Sequence, residues 1–390
     1  MAPAASENPE QEAPAPTLDR ADGAAKDAES RIWLLMGDKL GDNAQVEIIA
    51  RALGRPFARK LLSLQEPYVF GKPRFQPSLH HLDRKRSASL SPPWPDLIIT
   101  AGRRPAMAAL WVKQQSGGRT KLALIGRPKR WLERFDLVIS TVQNRLPERA
   151  NILRLDLPLM RVDTAAAAAA AAKLAPQLAD LPRPLVALMV GGATEPFALG
   201  AAEARQTLKA AGDWAARQGG TLYVSTSRRT SSEACDALAT ALPAGARLYR
   251  WRANDETNPY LGLMGLADQF VVTGDSTSMM VEIARLGRPL AIADLPLRAS
   301  LRTRLQQALA RKLHPASFGD PKGGRLESLG NALYRLGFVG YSRDLTAVHR
   351  LLIERGLAAR LGDPFPTAGH PLDDELPRVM DRIKTLLSAK

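Results

Sequence analysis

The sequence of 390 residues contains one cysteine, Cys235, which excludes an internal disulfide framework. Cys235 lies in a polar, alanine-rich stretch with no histidine beside it to act as a base, so it reads as structural rather than nucleophilic. The five histidines, His80, His81, His314, His349 and His370, form no pair at a zinc-binding spacing. No Asp-x-Asp carboxylate pair suggests a metal-dependent donor site, and the adjacent Asp373 and Asp374 stand in a proline-flanked tail. No metal is expected. Long apolar runs are also missing: residues 185–190 and 270–273 are short and end in glycine-rich turns, whereas a membrane-spanning helix needs about 20 apolar residues in succession. Residues 1–30 lack the basic start and apolar run of a secretory signal, and their Ala, Pro and acidic content predicts a disordered leader.

The apolar content of 45% is that of a globular protein, and the length exceeds what one core organises, which predicts two domains. With the leader acidic, the net charge of +15 belongs to the remainder and favours an anionic partner: a nucleotide diphosphate, a nucleic acid or a lipid surface. No zinc, helix-turn-helix or RNA-binding motif supplies a reading surface, so specific nucleic-acid binding is not expected.

Residues 32–36 form an apolar run followed by a turn sequence, 37–43, and a helical pattern, 44–53. Strands are expected at 96–101, 121–126, 136–141 and 151–155, with a helix at 105–115 and a large irregular insertion at 69–95. Short apolar strands separated by helices argue for a buried parallel sheet. A second series repeats the pattern: strands at 185–190, 221–226, 247–251, 269–273 and 289–293, and helices at 201–218, 233–242 and onward from Thr277 to near Leu286. Eight alanines, 165–172, precede Pro176, Pro182 and Pro184, and read as a helix and hinge between the series. The expected architecture is α/β, with two Rossmann-like parallel-sheet domains, 31–180 and 181–340, facing across a cleft. Residues 341–390 are expected to be helical and to return to the first domain.

The most informative local sequence runs from Thr273 to Pro289. An apolar strand leads into Gly274, and Ser276, Thr277 and Ser278 stand where a helix starts, so free backbone N–H groups, hydroxyls and the helix dipole can hold a diphosphate. Glu282 lies one turn beyond Ser278, in reach of a ribose on the same face. The competing reading is a plain Ser/Thr cap with a solvent-facing glutamate. The stretch resembles the donor motif of GT-B glycosyltransferases of the lipid A disaccharide synthase and undecaprenyl-muramoyl-peptide transferase type, to which Ser276, Thr277, Glu282, Gly287 and Pro289 correspond.

Residues 31–340 resemble the mitochondrial fission family of plants and bacteria, itself regarded as glycosyltransferase-like. The motifs are the opening Gly37 to Gln45, the strand exit Thr100 to Arg104, Gly191-Gly192, Ser225 to Thr230 and the Gly274 to Pro289 block. The resemblance implies a GT-B fold and a nucleotide-sugar donor, with a uridine diphosphate sugar as the preferred form and no obligatory cofactor. Gly191, Gly192, Ser227 and Arg228 would join Gly274 and the α-helical start on the donor side.

Gly37 and Gly41 give G-x-x-x-G, with Asp42 and Asn43 where a dinucleotide fingerprint places its third glycine, so NAD binding is not expected. In a GT-B arrangement this loop faces the acceptor. Asp38 or Asp42 then deprotonates an acceptor hydroxyl while Gly41, Asn43, Gln45 and Arg103 shape its site; turn and cap chemistry by Asp42 and Asn43 is the equal alternative. Arg228 is the leading group for neutralising a leaving diphosphate. The implied reaction is sugar transfer to a lipid-linked or envelope-associated acceptor; the alternative is a GT-B-shaped scaffold without turnover. Residues 298–312 hold five cations and no acid, with leucines every fourth residue, which suits a packed helix or the anionic surface of an inner membrane met from the cytoplasm.

Overall fold

The computed structural model describes residues 31–71, 73–298, 301–313, 325–366 and 372–388; the expected leader, His314 and His370 lie outside them. The first domain holds β1 (Ile32–Met36), β2 (Ala58–Leu61), β3 (Leu97–Ala101), β4 (Lys121–Ile125), β5 (Leu137–Thr141) and β6 (Ile152–Leu155), with α1 (Leu40–Ala52), α2 (Glu66–Phe70) and α3 (Arg103–Gln115). All pairs are parallel, in the order β2-β1-β3-β4-β5-β6. The second domain holds β7 (Leu185–Met189), β8 (Thr221–Ser225), β9 (Arg247–Tyr249), β10 (Gln269–Thr273), β11 (Leu290–Ala293) and β12 (Ala359–Arg360). Its helices are α4 (Thr164–Leu178), α5 (Ala201–Arg217), α6 (Ser232–Thr240), α7 (Tyr260–Leu266) and α8 (Thr277–Arg285). This sheet is also parallel throughout, in the order β12-β11-β10-β7-β8-β9. Four further helices follow: α9 (Leu301–Leu313), α10 (Arg325–Leu336), α11 (Thr346–Glu354) and α12 (Leu376–Ser388).

The central strands are apolar on both sides because both sides are covered. Along β1, Trp33 and Leu35 enter one core while Ile32, Leu34 and Met36 enter the opposite one, as the two-residue period of a strand requires. In β7, Leu185, Ala187 and Met189 face one layer and Val186 and Leu188 the other. Two helix-covered parallel sheets of this kind make a GT-B-like fold.

Among the described residues, three segments cross between the domains. The alanine helix α4, expected to be a hinge, packs Ala167, Leu174 and Leu178 into the second-domain core. Asp163 caps it by accepting the Ala166 N–H at 2.9 Å, and it lies so close to α7 that a Cβ on Gly265 would stand 2.8 Å from the Ala171 Cβ. In the other direction, Tyr334 and Tyr341 join the first-domain core, and Val379, Met380 and Ile383 of α12 cover its opposite face. The region expected to be helical also contributes the short strand β12, which extends the second sheet beside β11.

Candidate functional site

Ligands of open parallel sheets sit beyond the carboxyl ends of the strands, where the strand order reverses. In the second domain that point lies between β7 and β10, so it is bordered by Gly191-Gly192 and by Gly274-Asp275-Ser276. In the first it lies between β1 and β3, bordered by residues 37–42 and 102–104.

A buried carboxylate organises the second-domain point. Asp275, with no exposed side-chain surface, accepts the Thr273 hydroxyl at 2.7 Å and the Gly192 N–H at 2.9 Å, while Thr273 accepts the Gly191 N–H at 2.8 Å. The Ser276 hydroxyl lies 3.2 Å from the same carboxylate. Arg229 closes the set, 3.1 Å from Asp275, donating to Ser276 at 3.2 Å and also to the Thr194 hydroxyl. Gly191 has to be glycine, since a Cβ would overlap the Asp275 carboxylate and the Ser276 oxygen; at Gly192 it would overlap the Arg229 backbone. Gly274 donates its N–H to Ala293 at 2.9 Å, and its carbonyl takes a 2.7 Å bond from His349 Nε2, which must therefore carry the ring proton.

Thr277 and Ser278 lie half-buried in the first turn of α8. Glu282, one turn on, receives the hydroxyl of Tyr260 from α7; burial raises its pKa and the Tyr260 bond partly offsets this. Ser227 donates its N–H to the Thr230 hydroxyl oxygen at 2.9 Å, and the two hydroxyls lie 3.2 Å apart, which shapes the β8 exit loop. Arg228 is exposed and reaches across to the first domain, 3.4 Å from the Asp38 carbonyl.

The first-domain point opens into a cavity of about 340 Å³ lined by Gly37, Asp38, Lys39, Asp42, Arg103, Arg104 and Lys129, among others. Asp42, in the first turn of α1, is half-buried. Burial pushes its pKa up, opposed by the charges of Lys39 and Arg343, while Asp38 adds to the rise. Asp38 is exposed, its carboxylate 3.8 Å from Arg104. Asn43 closes the β1 turn, accepting the Gly37 N–H at 3.2 Å and donating to the Gly37 carbonyl at 2.9 Å. Gln45 holds the Leu159 N–H at 3.2 Å, tying α1 to the crossing segment, and Gly41 has open space where a Cβ would stand. Arg103 donates to the Pro73 carbonyl and lies 5.7 Å from the Phe75 ring. Arg104 takes the carbonyls of Tyr68, Val69 and Gly71 at 2.6, 2.8 and 3.1 Å. Both arginines therefore tie residues 68–71 and Pro73 beside the cavity as well as lining it.

Arg343 sits between the halves. It donates to Gln143 at 2.8 Å and feels the charges of both Asp42 and Arg229. Sequence reasoning did not single out Arg343, His349, Tyr260, Arg229 or Asp275 as site residues. Only the last two had a local signal, as neighbours of Arg228 and Ser276; the others lie in segments without a motif. Among the described residues, no group of three or more His, Cys, Asp or Glu side chains comes together as a metal site. No helix there is long and apolar enough to cross a membrane.

The chain is 25% identical over 220 residues to the mitochondrial fission protein ELM1 of Arabidopsis thaliana, a match covering 51% of this chain and 51% of that protein. It is 24% identical over 319 residues to the uncharacterized protein RP120 of Rickettsia prowazekii (strain Madrid E), covering 72% of this chain and 89% of the relative. The UDP-GlcNAc 2-epimerase from Neisseria meningitidis, solved bound to UDP-GlcNAc, aligns at TM-score 0.42 and 12% identity over 83% of this chain and 98% of that one. MurG of Acinetobacter baumannii aligns at TM-score 0.38 and 14% identity over 91% and 99%. The family described as mitochondrial fission ELM1 matches residues 41–333, three-quarters of the sequence, and the chain belongs to that family.

Proposed function

We propose that the protein transfers a sugar from a nucleotide diphosphate donor at the second-domain switch point to an acceptor hydroxyl in the first-domain cavity. The observation that carries this reading is the contact of Arg228 with the Asp38 carbonyl, which puts a second-domain guanidinium at the edge of the first-domain cavity. Asp42 is the better placed base of the two aspartates: it lines the cavity, is half-buried and has a raised pKa. It takes the proton of the acceptor hydroxyl as that oxygen bonds to the anomeric carbon. The bond from that carbon to the diphosphate oxygen breaks, and Arg228 with the N–H groups of α8 stabilises the charge that departs. Thr277 and Ser278 contact the diphosphate, and Glu282 turns from Tyr260 to the ribose. Gly41, Asn43, Gln45 and Arg103 shape the acceptor side. In this reading the acceptor is lipid-linked or envelope-associated, and the protein works at the cytoplasmic face of a membrane.

A second reading, a GT-B-shaped binding protein without turnover, is favoured by Asp275. Its carboxylate already occupies the Gly192 N–H and Arg229, so a phosphate has to compete with it for the same donors. Titration calorimetry across uridine, adenosine and guanosine diphosphate sugars separates the two. Donor binding that weakens in Arg228→Ala, with transfer reduced about 100-fold to 10,000-fold in Asp42→Asn at unchanged donor affinity, supports transfer. No binding to any nucleotide diphosphate by the folded protein supports the scaffold.

A further inference from the structure

Helices α9 and α10 pack against one another and span both domains. At one end, Arg298 pairs with Glu203 of α5 at 3.0 Å, and its N–H meets the Pro196 carbonyl at 2.7 Å. At the other, the Tyr334 hydroxyl donates to the Pro128 carbonyl at 3.2 Å, and Arg130 donates twice to the Arg335 carbonyl, at 2.9 and 2.7 Å. The buried faces are already in use: Ala310, Leu313 and Tyr334 are 4% exposed or less. Among the described residues, nothing covers a second apolar stripe outside them. Leu301, Leu305 and Leu309, one turn apart, are 75%, 70% and 45% exposed, and Leu329, Leu336 and Phe338 are 50%, 60% and 75% exposed. Isolated exposed leucines need no explanation, but a run of this kind on one paired unit marks a contact surface.

The charge around the stripe is predominantly positive: α9 carries no acid, and α10 has Arg325 and Arg335 to one acid, Glu327. Residues 298–313 contain five cations and no acid, and Arg304 and Lys312 are exposed. Where α10 meets the first domain, Arg130 and Arg134 flank Trp131 at 4.2 and 4.5 Å, and Arg130 also feels the charge of Arg74. Glu133 is paired with Arg335 at 3.2 Å. A second copy docking through this face would set two cationic rims against each other. Residues 1–30, though acidic, contain only Met1 and Leu18 as large apolar side chains, too few to cover the stripe.

The geometry points to the α9–α10 pair as a docking surface for an anionic lipid bilayer, with the leucines entering the headgroup boundary and the arginines and lysines meeting lipid phosphates. The surface stands whether or not the cleft turns over a sugar donor.

Flotation of the full chain with phosphatidylcholine vesicles, alone and mixed with phosphatidylglycerol, tests it. The protein floats with the mixed vesicles, not with phosphatidylcholine alone, and added salt releases it. The double variant Arg304→Gln, Lys312→Gln weakens binding by about fivefold for each cation lost. The double variant Leu301→Ser, Leu305→Ser abolishes it, while both variants keep the melting temperature of the parent because the altered side chains are exposed. No flotation with mixed vesicles, equal flotation with neutral ones, or flotation indifferent to the leucine pair overturns the assignment. A dimer in solution that the leucine pair dissociates also overturns it and gives the face to a second copy.

Discussion

Replacing Asp275 with alanine tests whether the buried carboxylate is the pin of the second-domain switch point. The change strands the Gly192 N–H and the Thr273 hydroxyl, both bonded to that carboxylate and both buried. An unsatisfied buried donor costs about 1–3 kcal/mol, and the Thr273 hydroxyl, free to rotate, belongs at the low end. Arg229, with a side chain 41% exposed, returns to water and adds little. The sum is about 3 kcal/mol, which for a domain of this size lowers the melting temperature by about 6–12 °C. Asp275→Asn keeps an acceptor for Gly192 but turns an amide toward the Thr273 proton, and falls between alanine and the parent. Differential scanning calorimetry of the three proteins reads the effect. An Asp275→Ala protein melting within 2 °C of the parent would refute the reasoning, since the two donors would then be satisfied some other way. The same variant bears on the scaffold reading, because removing the carboxylate frees the Gly192 N–H for phosphate and raises affinity for a nucleotide diphosphate.

Buried His81 has its pKa lowered to about 4 by desolvation. Because the folded value lies below the unfolded one, its contribution is fully present above pH 6.5 and is lost as the pH falls toward 4, a slope worth about 3 kcal/mol that urea midpoints will show and His81→Gln will flatten. Gly265→Val places branched carbons against Ala171 and the Ala167 carbonyl, pushes α7 from α4, and lowers the unfolding free energy read from urea denaturation by about 1–3 kcal/mol. Tyr260→Phe removes the hydroxyl that steadies the Glu282 carboxylate and destabilises the protein at pH 7 by about 1–3 kcal/mol. Since the Glu282 pKa is already raised and rises further, that deficit shrinks as the pH falls and the carboxyl takes its proton; urea titration at pH 7 and pH 4.5 would show the convergence.

The parallel cores were legible because strands covered on both sides must be apolar throughout, as 32–36 and 185–189 are. β2 was not, because as an edge strand it reads Ala-Arg-Lys-Leu, with Arg59 and Leu61 exposed. α7 was hidden by Gly262 and Gly265, poor helix formers whose reason is the alanine face of α4 some 90 residues earlier in the chain. At the site, strand-exit glycines and the hydroxyl run were visible, since local backbone geometry demands them. The division of labour between adjacent arginines was not: Arg229 turns inward to Asp275 and Arg228 outward to the other domain. Arg343 and His349 reach the cleft only through chain crossings, for which local sequence carries no mark.

The crossing by α12 sets an order of events during synthesis. Every strand of the first sheet has been made once Leu155 is joined, yet the Glu375 carboxylate that receives the Asp156 N–H lies 219 residues downstream. Leu34 and Ile49 stay without their Val379 and Ile383 cover over the same interval. At about 5–20 residues per second a ribosome needs on the order of 10–40 s for that distance. The half of the chain that emerges first therefore waits for cover made long after it, and for that interval the part of its sheet face that α1 leaves open is what a holdase chaperone would meet.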